Sequence, residues 1–229
     1  MEGMSMLQAL RAFAMVAGVI AVATVSKYVR ASDNRALDAD IISVAEEWAK
    51  IKYLSDDDSD RSAKMAVLAP KADALVKRYP GRPEPLIWDG IVVSEQASLS
   101  SGFTALNFAG RARDLLLEAY KIDPKALDAG ASTSLGVLYY RVPGFPLAWG
   151  DKEKARRYLE EAVKNAPNGR DAHYFYADFL YEQRDYKRAE EMIRIGMALP
   201  KHPERPVWDQ YFPMVMETLL DRIEKKLKP

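Results

Sequence analysis

The 229-residue sequence contains no cysteine. That excludes disulfides, thiol catalysis, cysteine-ligated metals and the acylated anchor of a lipoprotein. Histidine occurs only at His173 and His202, in unlike surroundings, so no histidine cluster is available for a metal. Excess charge is missing too. The 33 Lys and Arg residues balance 33 Asp and Glu, whereas a nucleic-acid binder shows a basic face. No nucleophile motif, phosphate loop or metal-ligand spacing is present. Glu46–Glu47 and Glu160–Glu161 are neighbours on helical stretches, and adjacent helical positions do not face one another. The run "DDDSD" at 56–60 lacks the glycine and distal glutamate of a calcium loop and reads as a solvated turn. His173 reads as a packing or groove residue rather than a general base. These absences predict a protein with no cofactor, no metal and no catalytic role.

Long apolar runs are equally scarce, with one exception. "AFAMVAGVIAVATVS", residues 12–26, is uncharged and lies between Arg11 and Lys27. It is shorter than the roughly 20 residues of a spanning helix and suits a signal-peptide core. Extended over residues 6–26 with Arg11 snorkelling, it makes a marginal anchor. Residues 1–31 are therefore expected to be a membrane anchor with the bulk of the chain outside the cytoplasm. The alternative is a leader cleaved near "AVA" at 21–23 or "VRA" at 29–31.

Beyond the leader the patterning is helical. Leu37, Ile41, Val44, Ala45, Trp48 and Ile51 recur at helical spacing, which predicts a helix over 37–54. A second is expected over 61–79, capped by Asp60 or Ser59 and kinked or broken at Pro70. From residue 83 the chain repeats itself. Gly90, Gly136 and Ala177 align, and the residues downstream are Ala112, Leu116, Ala119, Pro124 and Ala155, Leu159, Ala162, Pro167. The third copy gives Ala189, Ile193, Gly196 and Pro200. Small residues at the aligned positions let two antiparallel helices approach closely, while Leu116, Leu159 and Ile193 fill the groove between them.

This signature, with "SLGVLYY" at 134–140, resembles the tetratricopeptide repeat. It implies an all-α solenoid of helical hairpins over residues 32–229, preceded by the N-terminal hydrophobic helix. The opening unit would occupy 35–80, the repeats about 83–125, 129–168 and 170–203, and a closing helix 207–227. From the small residue to the downstream alanine the step is 22, 19 and 12 residues. The first two copies thus carry insertions of about 10 and 7 residues, and removing them restores a period near the usual 34. The insertions, "SLSSGFTALNFAG" at 98–110 and "RVPGFPLAWGD" at 141–151, are expected as decorated turns inside their hairpins. Asp151 would cap the helix that resumes.

Insertions in solenoids gather on one edge, often the binding edge. Phe103, Phe108, Phe145, Leu147 and Trp149 are thus candidate partner contacts, or else they fold back and enlarge a small core. Solenoid geometry points Thr133, Val137, Tyr140 and Arg141 of one repeat, and Tyr174, Asp178 and Tyr181 of the next, into the concave face. A tyrosine-rich groove suits extended peptides; packing between repeats is the other reading. The stretch 131–200, including "LYYRVPGFPLAWGDKEKARRYLEEAVKNAPNGRDAHYFYADFLYEQ", resembles tetratricopeptide proteins of the bacterial envelope. It is distantly similar to the T-component of tripartite (TRAP) transporters. The resemblance implies a non-catalytic protein–protein scaffold, an accessory subunit of a membrane complex in the inner membrane with its repeats in the periplasm. The alternatives are a soluble periplasmic protein and a small-ligand or lipid-binding one.

Overall fold

The computed structural model describes residues 33–228, and among them the fold is nine helices with no strand. The expected anchor or leader lies outside the described residues. Among the described residues no helix is long and apolar enough to cross a membrane. The described residues fall into two units, 33–40 and 41–228. In the first, residues 33–40 form the start of helix α1, which runs over 33–54.

The second unit holds the remainder of α1 and then α2 (Asp58–Arg78), α3 (Pro83–Ser98), α4 (Gly102–Ile122), α5 (Ala126–Arg141), α6 (Lys152–Asn165), α7 (Arg170–Glu182), α8 (Tyr186–Ala198) and α9 (Pro206–Leu227). The closest pairings are α3 with α4, α5 with α6 and α7 with α8, the three hairpins that the repeated small residues specify. The first helix of each hairpin touches that of the next, α3 to α5 to α7 to α9, and each second helix packs on the following first helix. One continuous core results. It passes from Val93 and Leu116 through Leu135, Leu159, Phe179 and Ile193 to Met216 and Ile223.

Close approach depends on the glycines. A Cβ built on Gly90 would stand 2.7 Å from Leu116 Cγ, and one on Gly136 would stand 2.5 Å from Leu159 Cγ. The leucine of each hairpin fills the volume that the glycine leaves empty. The last described helix, α9, shows Gln210, Met214, Glu217, Thr218, Asp221 and Lys225 to solvent. A terminal element needs such a polar face.

Several local expectations are corrected. The α2 helix is capped by Asp57, which accepts from the Asp60 amide at 2.8 Å, rather than by Ser59 or Asp60. It also runs unbroken past Pro70, which sits on the exposed side where a missing amide costs least. The larger correction concerns 98–110. The turn there is only residues 99–101, and the remaining residues lengthen α4 at its N-terminus. Ala105, Ala109, Ala112, Leu116 and Ala119 keep a four-three spacing through that stretch, so the apolar stripe continues and helix is the lower-energy form. Phe103 and Phe108 are consequently helical residues and not members of an insertion loop. The second insertion is a true loop, and Asp151 caps α6 by accepting from the Glu153 and Lys154 amides at 3.0 Å.

The first turn of α5 carries an unforeseen feature, a kink. Leu127, Asp128 and Ala129 take left-handed φ values of 48°, 51° and 57°. Left-handed backbone costs roughly 1–2 kcal/mol per L-residue, and here it turns the chain into the buried start of the second hairpin, with Ala129 fully enclosed.

Candidate partner-binding surface

The residues expected on the concave face come from α5 and α7, and the structure brings most of them together. Asp178 is buried on α7 and is the hub. Tyr140 donates its hydroxyl to Asp178 Oδ2 at 2.5 Å, and Arg141 donates through Nη2 to the same oxygen. The guanidinium of Arg141 also lies 4.8 Å from the Tyr140 ring centre. Arg141 nonetheless keeps 53% of its side chain exposed. An arginine that is tethered yet half in water presents its remaining N–H groups in a fixed direction. Tyr181 stands nearby on the same helix as Asp178, with Arg222 over its ring at 4.4 Å and Tyr186 against it.

Thr133, like Asp178, falls short of the solvent, and Tyr174 is half-buried. Thr133 is buried, and no partner is found for its hydroxyl among the described residues. Tyr174 is wedged against Phe175 and Phe212. Val137 is half-buried.

Sequence reasoning missed what happens further along this face. Residues 41–54 of α1 lie on it. Trp48 meets Trp88 of α3 edge-on at 6.0 Å, and Tyr53 stacks on Tyr211 of α9 at 5.6 Å and 10°. Lys52 reaches the buried Glu95 at 2.7 Å, while Arg205 stands over both Trp88 and Trp208. Residues 41–54 of α1 and helix α9 therefore close one part of the face. In the other part Arg141 stays accessible, with Tyr140 and Tyr181 half-buried and Asp178 enclosed beneath. Helical patterning gives no signal for a contact between Tyr53 and Tyr211, which are remote in sequence.

The loop at 142–151 divides by residue. Gly150 N donates to Pro143 O at 2.9 Å and Asp151 N to Tyr139 O at 2.8 Å, which pins both strands of the excursion. Trp149 packs edge-on against Tyr139 at 5.3 Å, with Arg113 over its other face at 4.6 Å. Val142 also touches the core. Phe145 and Leu147 do not: they are 94% and 77% exposed. Phe103 on α4 is similarly exposed, whereas Phe108 packs against the core. His173 is buried, its Nδ1 2.9 Å from the Gly169 carbonyl. Among the described residues no group of three or more His, Asp or Glu is placed to hold a metal.

Burial shifts several phenols on these helices. Burial, and then the Asp178 charge, pushes Tyr174 up to about 12. Burial, and then a hydrogen bond to Glu160 at 2.9 Å, pushes Tyr176 up to about 12. Tyr140 and Tyr53 rise as well, burial being the main cause. The folded state holds these protons more tightly than the unfolded chain, so they favour folding fully below pH 10. That contribution is lost as pH climbs from about 10, where unfolded tyrosine ionises, to about 12. Phenolate absorbance is expected to rise in two stages, with the second coinciding with loss of helical signal. A single stage near 10, with the helices intact, would contradict the enclosure of Tyr174 and Tyr176.

A tetratricopeptide repeat family model matches residues 147–205, from the outer limb of the loop through α6, α7 and α8. Among the curated proteins nothing matches. The match and the all-helical stack together support a tetratricopeptide-type protein. Repeats of this type generally mediate protein–protein interaction, and Tyr174, Asp178 and Tyr181 lie inside the matched segment.

Proposed function

We propose that the chain is a non-catalytic scaffold, an accessory subunit of a membrane complex in the bacterial envelope, with the repeats on the periplasmic side. The observation that carries the binding role is the half-exposed Arg141, tethered to Asp178 and lying over the Tyr140 ring. Arginine and tyrosine are the residues that most often anchor interfaces, and a preorganised guanidinium loses little freedom on meeting a carboxylate. The partner would be a protein segment offering an acidic side chain or terminus. Support for the membrane setting comes from the uncharged run 12–26 and from the envelope-type character of the stretch 131–200.

The test is native mass spectrometry of the protein extracted gently from its own membranes, comparing the parent with Arg141→Lys. Lysine keeps a cation opposite Asp178 but removes the planar fork. A stoichiometric companion protein that falls about tenfold or more in yield with the variant is the expected result, since a fork-shaped donor is lost. A companion retained in full would move the binding surface elsewhere, and a parent that carries none would end the scaffold reading.

A further inference from the structure

The tip of the 142–151 loop has no part in the Arg141 surface and calls for its own account. Phe145, Pro146 and Leu147 form a continuous apolar point that is exposed at every residue. The point is held out by structure. Leu147 N and Ala148 N both donate to the Gly144 carbonyl, at 3.1 and 3.2 Å, and Trp149 roots the loop between Tyr139 and Arg113. A loop able to fold back would bury these side chains; this one is braced against doing so.

The charge beside the tip indicates what meets it. The helix that follows opens with Lys152, Glu153, Lys154, Arg156 and Arg157, four cations to one anion in a chain whose total charge is zero. Lys152, Lys154 and Arg157 are exposed. Asp151 caps the helix and pairs with Lys154 at 3.7 Å, and Arg141 is matched by Asp178. An apolar point followed directly by exposed lysine and arginine is the pattern of an interfacial membrane contact: the side chains enter the acyl boundary and the cations meet anionic headgroups. The same chain carries the uncharged run 12–26, the one stretch of its sequence suited to lipid.

We infer that Phe145 and Leu147 insert into the interface of an anionic lipid bilayer, with Lys152, Lys154 and Arg157 on the headgroups, so that the loop forms a second membrane contact. The inference uses neither Arg141 nor its partner and stands apart from the scaffold reading.

Absence of cysteine makes the test direct. A Leu147→Cys substitution in the full chain takes a single environment-sensitive dye, and Lys187→Cys on α8 provides the control. Vesicles are phosphatidylcholine alone, or with about 30 mol% phosphatidylglycerol to give an anionic surface. Binding itself is not the readout, because residues 12–26 can deliver the chain to any bilayer. The readout is the depth of each label. The dye at 147 is expected to brighten about twofold or more on anionic vesicles, to shift to the blue and to be quenched by spin-labelled lipid. The dye at 187 should do none of these. Added salt, or Lys152→Glu with Arg157→Glu, should reverse the change at 147. A label at 147 as wet as the one at 187 on vesicle-bound protein would overturn the inference. So would shielding that appears only when another protein is present, which would make the tip a protein contact.

Discussion

An Arg170→Met chain is expected to melt well below its parent. Arg170 opens α7 and donates from Nη1 to Asp209 Oδ1 on the first turn of α9 at 3.0 Å, with only 4% and 10% of the two side chains exposed. The guanidinium also lies 5.2 Å from the Trp208 ring centre. Taking one ion out of such a pair leaves the other buried and unpaired, at a cost of about 3–5 kcal/mol. For an array of this size that corresponds to a fall in Tm of roughly 10 °C. The loss would come from the stranded carboxylate rather than from a favourable net pair. Hence Arg170→Met combined with Asp209→Leu is expected to recover most of the stability, to within about 1 kcal/mol of the parent or above it. A calorimetric double-mutant cycle decides the matter. A single variant that melts with its parent would mean that water reaches Asp209.

Filling Gly136 is the second large effect. The Cβ of Gly136→Ala would stand 2.5 Å from Leu159 Cγ, 2.8 Å from Cδ2 and 3.3 Å from the Ala155 carbonyl. Leu159 is fully buried, so it cannot swing out into solvent to make room. Overpacking of this kind costs about 1–3 kcal/mol, and Gly136→Val should cost more. Leu159→Ala alone should cost about 2–5 kcal/mol, yet the pair Gly136→Ala with Leu159→Ala should lose less than the sum, because each change accommodates the other. Gly110 supplies the contrast. A Cβ there meets nothing within 4 Å, so Gly110→Ala in the middle of α4 is expected to stabilise by about 0.5–1 kcal/mol. Denaturant midpoints for the variants test both signs. Equal gains at 136 and 110 would show that glycine acts here through chain entropy rather than close approach.

How far these features could be read from the sequence depends on the range of the forces behind them. The alignment of Gly90, Gly136 and Ala177 with Leu116, Leu159 and Ile193 was readable, because close helix approach imposes its spacing locally and repeats it. The Asp151 cap was readable for the same reason. The stretch 98–110 was misjudged, since counting against a fixed period treats every extra residue as loop. The apolar stripe that continues from Ala105 through Ala112 shows instead that the residues extend the helix. In the 142–151 loop the composition identified an unusual turn but could not divide it. Trp149 turns inward because Tyr139 and Arg113 flank its place, and those neighbours come from two different helices. The contacts of Trp48 and Tyr53 with Trp88 and Tyr211 arise only after every hairpin has stacked. No local pattern encodes them. For the candidate surface, sequence placed Tyr140, Arg141 and Asp178 on one face, and the structure adds that they form a single bonded unit from which Arg141 projects.

The outward face of α9 has a consequence for self-association. Stacked hairpins invite addition: any apolar face left open at the end of a row is a template for another copy of the chain, and repeated addition makes a fibre. Here a newcomer docking on α9 would have to strip water from Glu217, Asp221 and Lys225 without offering them partners. Growth by stacking on that face of α9 is therefore opposed.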